Sequence, residues 1–396
     1  MAKGNFFGFH RNVFSLGLVS FFTDVSSEMI YPLLPIFLTS VLGVGASFVG
    51  LIEGIAETTA SLLKLFSGWL SDRWNKRKSL VVFGYTLSTF ARPLVAVATA
   101  GWHVLLVRFL DRIGKGVRTS PRDALIADSC LEGERGRAFG FQRAMDHAGA
   151  VIGPLTASLL LTFITQRYRL IFWLAFIPGI VSLVFLILGV QEKKSFIPIA
   201  SQKVRLTLRP FDRRFKLFLG IVILFTLGNS SDAFLILKAK EVGVPISLIP
   251  ILWMVLHIVK SLSATPGGIL SDHLGRRGVI IAGWLLYSGV YWAFAWADSS
   301  GMIWVLFAVY GLFYGLTEGG ERALVADLVP PQLRGMAYGL YNFSIGIGAL
   351  PASLLMGLLW EKISPKAAFG SGATLALLAA LLLWLALSIR DCYDKN

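Results

Sequence analysis

The sequence predicts an all-α membrane protein of twelve transmembrane helices arranged as two pseudo-symmetric six-helix bundles. Three observations carry that expectation. Apolar types make up 55% of the 396 residues and charged types only 15%, and the mean hydropathy of +0.68 lies far above that of a soluble domain. Apolar windows of about 20 residues, the length needed to cross a hydrocarbon layer of roughly 30 Å, recur twelve times. The second half of the chain also repeats the first.

The first window, 13–40, carries Asp24 and Glu28. It is too long for a signal-peptide core and lacks a small-residue cleavage site, so it is expected to remain as helix 1. Windows at 48–70, 79–100, 103–127, 137–163 and 169–190 follow as helices 2 to 6. The polar segment 191–214, rich in Lys and Arg, reads as a linker. Windows at 215–237, 247–270, 278–297, 302–325, 336–360 and 366–389 complete the set as helices 7 to 12. The expected organisation is therefore a bundle over 1–190, a cytoplasmic linker over 191–214 and a second bundle over 215–396.

The net charge of +14 invites a nucleic-acid reading, but the placement of the charge argues against it. Outside the spans, Lys and Arg gather on the side of the N-terminus, which is the positive-inside pattern of a chain with both termini cytoplasmic. An integral protein of the cytoplasmic (inner) membrane is expected, in contact with lipid and without nucleic acid. Cys130 and Cys392 fall in a predicted loop and in the tail, so no disulfide framework is implied.

Internal repetition decides the architecture. GWLSDRWNKRK at 68–78 returns as GILSDHLGRRG at 268–278, and RDALIAD at 122–128 returns as ERALVAD at 321–327. RGRAFG at 135–140 matches RGMAYG at 334–339, and FFTDVSSE at 21–28 lines up with FTLGNSSD at 225–232, which sets Asp232 opposite Glu28. At these residues the chain resembles the major facilitator superfamily of secondary transporters over nearly its full length. The family's loop between helices 2 and 3 reads roughly G-x-L-x-D-R-x-G-R-K. Gly68, Leu70, Asp72, Arg73, Arg77 and Lys78 match it, with Asn75 in place of the glycine; Gly268, Leu270, Asp272, Gly275, Arg276 and Arg277 form the second copy, with His273 in place of the first arginine. The resemblance implies the superfamily fold and a cytoplasmic gate at Gly68, Asp72, Arg73, Arg77, Asp272 and Arg276. In that gate the aspartate sits near a helix N-terminus, where the dipole favours it.

Helix 4 and its exit, RFLDRIGKGVRTSPRDAL, form the least ordinary stretch. At about 100° per residue, Arg108, Asp111, Arg112, Lys115, Arg118 and Arg122 share an arc of roughly 120°. Facing lipid, each central charge would cost at least about 2.5 kcal/mol, so this face must look onto a wet cavity or onto carboxylates. At 1.5 Å per residue, Arg108 to Lys115 lie about 8 to 18 Å into the membrane, whereas Arg118 and Arg122 lie near the cytoplasmic end. The first group is expected to bind substrate and the second to serve the gate. On helix 5, Gly149, Gly153 and Pro154 are similar to the family's antiporter motif, which favours export. Asp146 and His147 lie beside them and are assigned to substrate binding.

Helix 2 carries Glu53 and Glu57 one turn apart, and His257 on helix 8 aligns with Glu57 in the second half. Asp24 and Glu28 share one face of helix 1, where two ionised acids repel. Asp24, Glu28, Glu53, Glu57 and Asp232 are therefore the candidates to carry a coupling proton, while His257 joins the substrate-binding set. A purely structural role, pairing with the cations of helices 4 and 5, is the alternative for Asp24 and Glu28.

No G-x-x-x-x-G-K-[ST] is present, which argues against an ATP-driven pump, and neither H-E-x-x-H nor G-x-S-x-G points to an intramembrane enzyme. The expected function is proton-coupled efflux of a small organic solute by alternating access, by a monomer without cofactor or resident metal. Proton-coupled uptake of an anionic solute and export of a divalent metal are the rival transport readings.

Overall fold

A computed structural model of the protein describes residues 5–6, 9–74, 76–130, 135–192, 208–330 and 333–391. The side chains of Asp72 and Arg73, Cys392 and most of the linker lie outside the described residues. Twelve long helices account for nearly all the rest. Helix 1 runs Arg11–Ile30 and continues through a 3-10 turn, Tyr31–Leu33, into Leu34–Ser40. Pro32 and Pro35 cause this interruption, because neither has an N–H to close the ladder. Helix 2 is Ala46–Trp74, helix 3 is Arg77–Ala91 with a 3-10 extension Arg92–Val97, helix 4 is Gly101–Asp128 and helix 5 is Arg135–Phe163. Helix 6 is split into Tyr168–Leu174 and Phe176–Gly189, and Pro178 removes the bond that would join them.

In the second half, helix 7 is Arg213–Gly228 followed by Ala233–Glu241. The break falls on Asn229, Ser230, Ser231 and Asp232, whose short polar side chains compete with helical backbone bonds. Helices 8 to 12 are Ile249–Leu274, Arg276–Trp296, Ser300–Asp327, Arg334–Lys362 and Pro365–Asp391. A pairing of Asn5–Phe6 with Phe9–His10 is the one exception to the all-α expectation among the described residues.

Eleven of the twelve are long and apolar enough to cross a membrane. Helix 4 is the exception. Its 28 residues are long enough, but seven of them between Arg108 and Asp123 are charged, so the sequence window at 103–127 was less apolar than its neighbours. The fold expected from the sequence is the fold observed. Helix 1 packs on helices 5 and 6, and helix 3 on helices 4 and 6; helix 7 packs on helices 11 and 12, and helix 9 on helices 10 and 12. The same four pairings occur in each half, as the duplicated sequence requires.

Packing divides the chain into two units, Met1–Leu42 with Thr59–Lys203 and Ile246–Met254, and Gly43–Thr58 with Val204–Pro245 and Val255–Asn396. Helix 2 thus places its first turns in the second unit, and helix 8 places its first turns in the first. The core of the first unit is largely aliphatic, with Leu16, Val19, Val81, Ile126 and Leu186 around Tyr85. That of the second is aromatic: Phe225 stacks on Trp284 at 4.3 Å and Tyr287 on Tyr291 at 4.2 Å.

Candidate functional site

In the first unit the charged faces of helices 1, 4 and 5 come together. Helix 5 meets helix 1 at the two acids. A Cβ at Gly149 would stand 2.5 Å from the carbonyl oxygen of Phe21 and 2.9 Å from Asp24 Cβ, and one at Gly153 would stand 2.8 Å from the Val25 oxygen and 2.9 Å from Glu28 Cβ. Only glycine permits this approach. The two glycines of the antiporter-like motif therefore seat helix 5 against the turn that carries Asp24 and Glu28.

Both acids are half-buried. Glu28 Oε2 accepts from the indole Nε1 of Trp253 at 2.7 Å, where the start of helix 8 enters the first unit. Asp146 Oδ2 accepts from Gln142 Nε2 at 2.6 Å, and the same nitrogen lies 3.2 Å from Ser20 Oγ. Asp146, Lys115 and Arg118 are electrostatic neighbours of Asp24, and Lys115 and Arg112 are neighbours of Glu28. Mobile protons and an ionic solute group both suit such a set of three acids facing several cations.

The basic ladder of helix 4 splits between two neighbours. Asp111 Oδ1 accepts from Arg92 Nε of helix 3 at 2.9 Å, while Arg108 Nη1 stands 3.8 Å from Asp111 Oδ2; all three side chains are 10% exposed or less. Arg92 also donates to the Thr23 carbonyl oxygen at 3.1 Å, and the Arg108 guanidinium lies 5.5 Å from the centre of the Tyr31 ring. A small pocket is lined here by Ser27, Tyr31, Arg92, Arg108 and Asp111. Lower down, Arg118 donates to Ser88 Oγ at 2.7 Å and covers the Tyr85 ring at 4.3 Å. Arg122 forks onto Asp123 at 2.9 and 3.0 Å and lies 3.4 Å from Ser20 Oγ of helix 1. Arg112 differs from these: its Nε is buried with no hydrogen-bond partner.

The residues expected to form a gate include several at the ends of helices. Arg77, the first residue of helix 3, bonds Asp128 at the end of helix 4, and Arg276, the first residue of helix 9, bonds Asp327 at the end of helix 10. Asp272 accepts from Arg276 Nη1 at 2.9 Å. Matching the two loops end to end sets Arg77 opposite Arg277, but the structural equivalent is Arg276, because the second loop is one residue shorter; Arg277 instead bonds the Trp384 carbonyl. Gly68 faces Ser120 of helix 4, with a would-be Cβ at 3.4 Å.

In the second unit, Asp232 accepts from Tyr310 and Tyr314 hydroxyls at 2.7 and 3.0 Å. Lys260 Nζ stands 3.3 Å from Glu318 Oε2. Glu53 is buried in this unit, Glu57 exposed, and His257 half-buried. Of the sequence-predicted residues, Asp24, Glu28, Arg108, Asp111, Arg112, Lys115, Asp146 and His147 thus belong to one unit, whereas Glu53, Glu57, Asp232 and His257 belong to the other. Sequence reasoning missed Arg92, Trp253, Gln142, Tyr310 and Tyr314. Arg92 was within reach of it, as the single charge inside the third window.

The profile of the Major Facilitator Superfamily matches residues 16–259 and again 217–391. An uncharacterized MFS-type transporter of Methanocaldococcus jannaschii is 38% identical over 94% of each chain. The multidrug resistance protein MdtH of Proteus mirabilis is 24% identical over 81% of this chain and 80% of its own. In fold, the chain is similar to the nucleoside transporter NupG, with a TM-score of 0.80 at 14% identity, covering 95% and 99% of the two chains.

Proposed function

The chain belongs to the major facilitator superfamily, and from that premise we propose that it exports a small organic solute in exchange for protons. That it is an integral membrane transporter of a small molecule, not an enzyme, follows from the family.

The observation that carries the reading is the contact of Gly149 and Gly153 with the turn bearing Asp24 and Glu28. Any shift of helix 5 against helix 1 alters the surroundings of both acids and of Asp146, so rearrangement within the first bundle and protonation are mechanically linked. Arg108, Arg112 and Lys115 hold an anionic group of the solute; exchange requires that ionised Asp24 and Glu28 belong to the solute-bound state and that their protonation releases the solute. Glu53, Glu57 and Asp232 are the reserve carriers. Asp146 and His147 complete the polar lining in the first unit, His257 is assigned to solute binding in the second, and the Arg77 and Arg276 pairs, with Gly68, Asp72, Arg73, Arg118 and Arg122, gate the cytoplasmic side. The bundles 1–190 and 215–396 rock about the site while 191–214 links them. Export is supported by the antiporter-like Gly149, Gly153 and Pro154, and by the likeness to the multidrug resistance protein MdtH of Proteus mirabilis. The working protein is a monomer in the inner membrane with both termini cytoplasmic.

Counterflow in proteoliposomes against an organic anion, a lipophilic cation and a divalent metal identifies the solute class. Asp24→Asn and Glu28→Gln should then abolish pH-driven uphill transport and keep part of the downhill exchange. If both variants still accumulate solute against a gradient as the parent does, the coupling assignment fails.

A further inference from the structure

The break in helix 7 delivers Asp232 to a wall of tyrosines in the second unit. Tyr310 Oη donates to Asp232 Oδ1 at 2.7 Å and Tyr314 Oη to Oδ2 at 3.0 Å. Tyr291, which stacks on Tyr287, lies 6.2 Å from Tyr310 between ring centres, so the wall extends past the two donors. Phenols satisfy a carboxylate's lone pairs in part, but they do not neutralise its charge, and Asp232 has no ion pair among the described residues. An acid inside a transmembrane segment with no cation in ion-pair contact among the described residues is a place where a cationic group can be received.

The wall already demonstrates what it accepts. Lys260 Nζ lies 4.2 Å from the centre of the Tyr314 ring, the aromatic-face contact by which ammonium groups are recognised. Its ion-pair partner is Glu318 at 3.3 Å, not Asp232. One resident ammonium therefore covers the ring face and acts on the neighbouring Asp232 electrostatically, while its close ion pair is with Glu318. Asp232 and Tyr314 are both half-buried, so each keeps surface for an incoming group.

We propose that Asp232, Tyr310 and Tyr314 are the seat for an ammonium group of the transported solute. The carboxylate supplies the counter-charge and the Tyr314 ring supplies a face that shields the cation from lipid. Lys260 holds that face in the empty protein and leaves the ring, keeping its pair with Glu318, when the solute's ammonium arrives. No bond is made or broken; the step exchanges one ammonium for another. The inference rests on the chain being a small-molecule transporter and needs neither the coupling assignment nor the helix 4 anion site. Taken by itself it makes the solute a bearer of an ammonium group.

The test is equilibrium binding to the full-length protein in nanodiscs without any gradient, using benzylammonium, tetramethylammonium and the neutral isostere benzyl alcohol. A saturable signal is expected for at least one cation, with benzyl alcohol binding at least tenfold more weakly. Asp232→Asn, which keeps the shape, should weaken cation binding tenfold or more. Tyr314→Leu should do the same, while Tyr314→Phe, which keeps the ring, should stay within about threefold of the parent. Lys260→Gln should tighten binding, because it removes the resident competitor. Saturable binding by neither cation, equal binding of benzyl alcohol, or an unchanged affinity in Asp232→Asn overturns the proposal. Should Asp232→Asn fail to fold, Lys260→Gln decides: weaker cation binding in that variant overturns it. Because no pH gradient is present, failure here is separate from failure of the coupling residues.

Discussion

Arg77 and Asp128 tie the start of helix 3 to the end of helix 4, and Arg276 and Asp327 repeat the tie in the second unit across the same separation of 51 residues. The two ties differ in burial. The Arg77 side chain is 8% exposed and that of Arg276 is 32%, with Asp128 at 29% and Asp327 at 51%. An exposed pair is worth about 0.2–1 kcal/mol. Removing Arg77 instead leaves a carboxylate that is partly withdrawn from water, at a cost of about 2 kcal/mol once the exposure of Asp128 is allowed for. Arg77→Ala should therefore lower the thermal midpoint of the purified protein clearly more than Arg276→Ala. Equal shifts would show that burial does not set the strength of the two ties.

A second prediction concerns Asp111. Its place on the basic face of helix 4 suggested contact with substrate, and the structure gives it Arg92 at 2.9 Å and Arg108 at 3.8 Å, all three nearly enclosed. Asp111→Ala strands two guanidinium groups inside the membrane, a loss of about 3–5 kcal/mol. Folded yield and thermal midpoint should fall steeply, and Arg92→Gln should reproduce much of the effect. An Asp111→Ala protein as stable as the parent would release Asp111 from this structural duty and return it to the solute.

Much of this was legible in the sequence, for reasons that can be traced to particular residues. Helix count followed from hydropathy because a span must be long and apolar, and the acids at 24 and 28 stood out because such groups are rare in a span. Gly149 and Gly153 stood out as an antiporter-like motif, and helix 5 meets those acids at these two glycines. Partnerships between helices were hidden, since periodicity shows which residues share a face of one helix and says nothing of its neighbour. Arg92 was visible as a charge but not as the partner of Asp111. Tyr310 and Tyr314 looked like ordinary apolar filling until the break in helix 7 set Asp232 against their hydroxyls. The one-residue slip between Arg77 and Arg276 was likewise invisible to an alignment of the two loops.

Membrane orientation is tested at Cys130, which follows helix 4 and is half-buried. In a Cys392→Ser background, a membrane-impermeant maleimide should label Cys130 in inside-out vesicles and leave it unlabelled in intact cells. The Lys and Arg of the linker and the other loops on that side require this outcome. Labelling confined to intact cells would reverse the orientation.

The final prediction separates Arg112 from the rest of the helix 4 ladder. Arg92, Arg108, Arg118 and Arg122 all have protein partners. Arg112 lies in the electrostatic range of Glu28 and Asp111, yet its Nε is buried without a hydrogen-bond partner. A buried donor left unsatisfied costs about 1–3 kcal/mol, and a bound carboxylate or phosphate recovers that cost. The guanidinium offers two parallel donors to such a group, a geometry that the single ammonium of lysine does not reproduce. Arg112→Lys should therefore weaken the affinity for benzoate, or for the anionic solute that counterflow identifies, by about tenfold, the loss of roughly 1.4 kcal/mol of binding. Its folded yield should stay at the parent's level. Arg122→Ala, which removes the bonds to Asp123 and Ser20, should alter turnover more than affinity. Calorimetry on the purified protein reads the affinities and proteoliposome exchange reads the turnover. Unchanged affinity in both Arg112→Lys and Arg108→Lys would make the ladder a structural device, and the solute would then be recognised through its ammonium group alone.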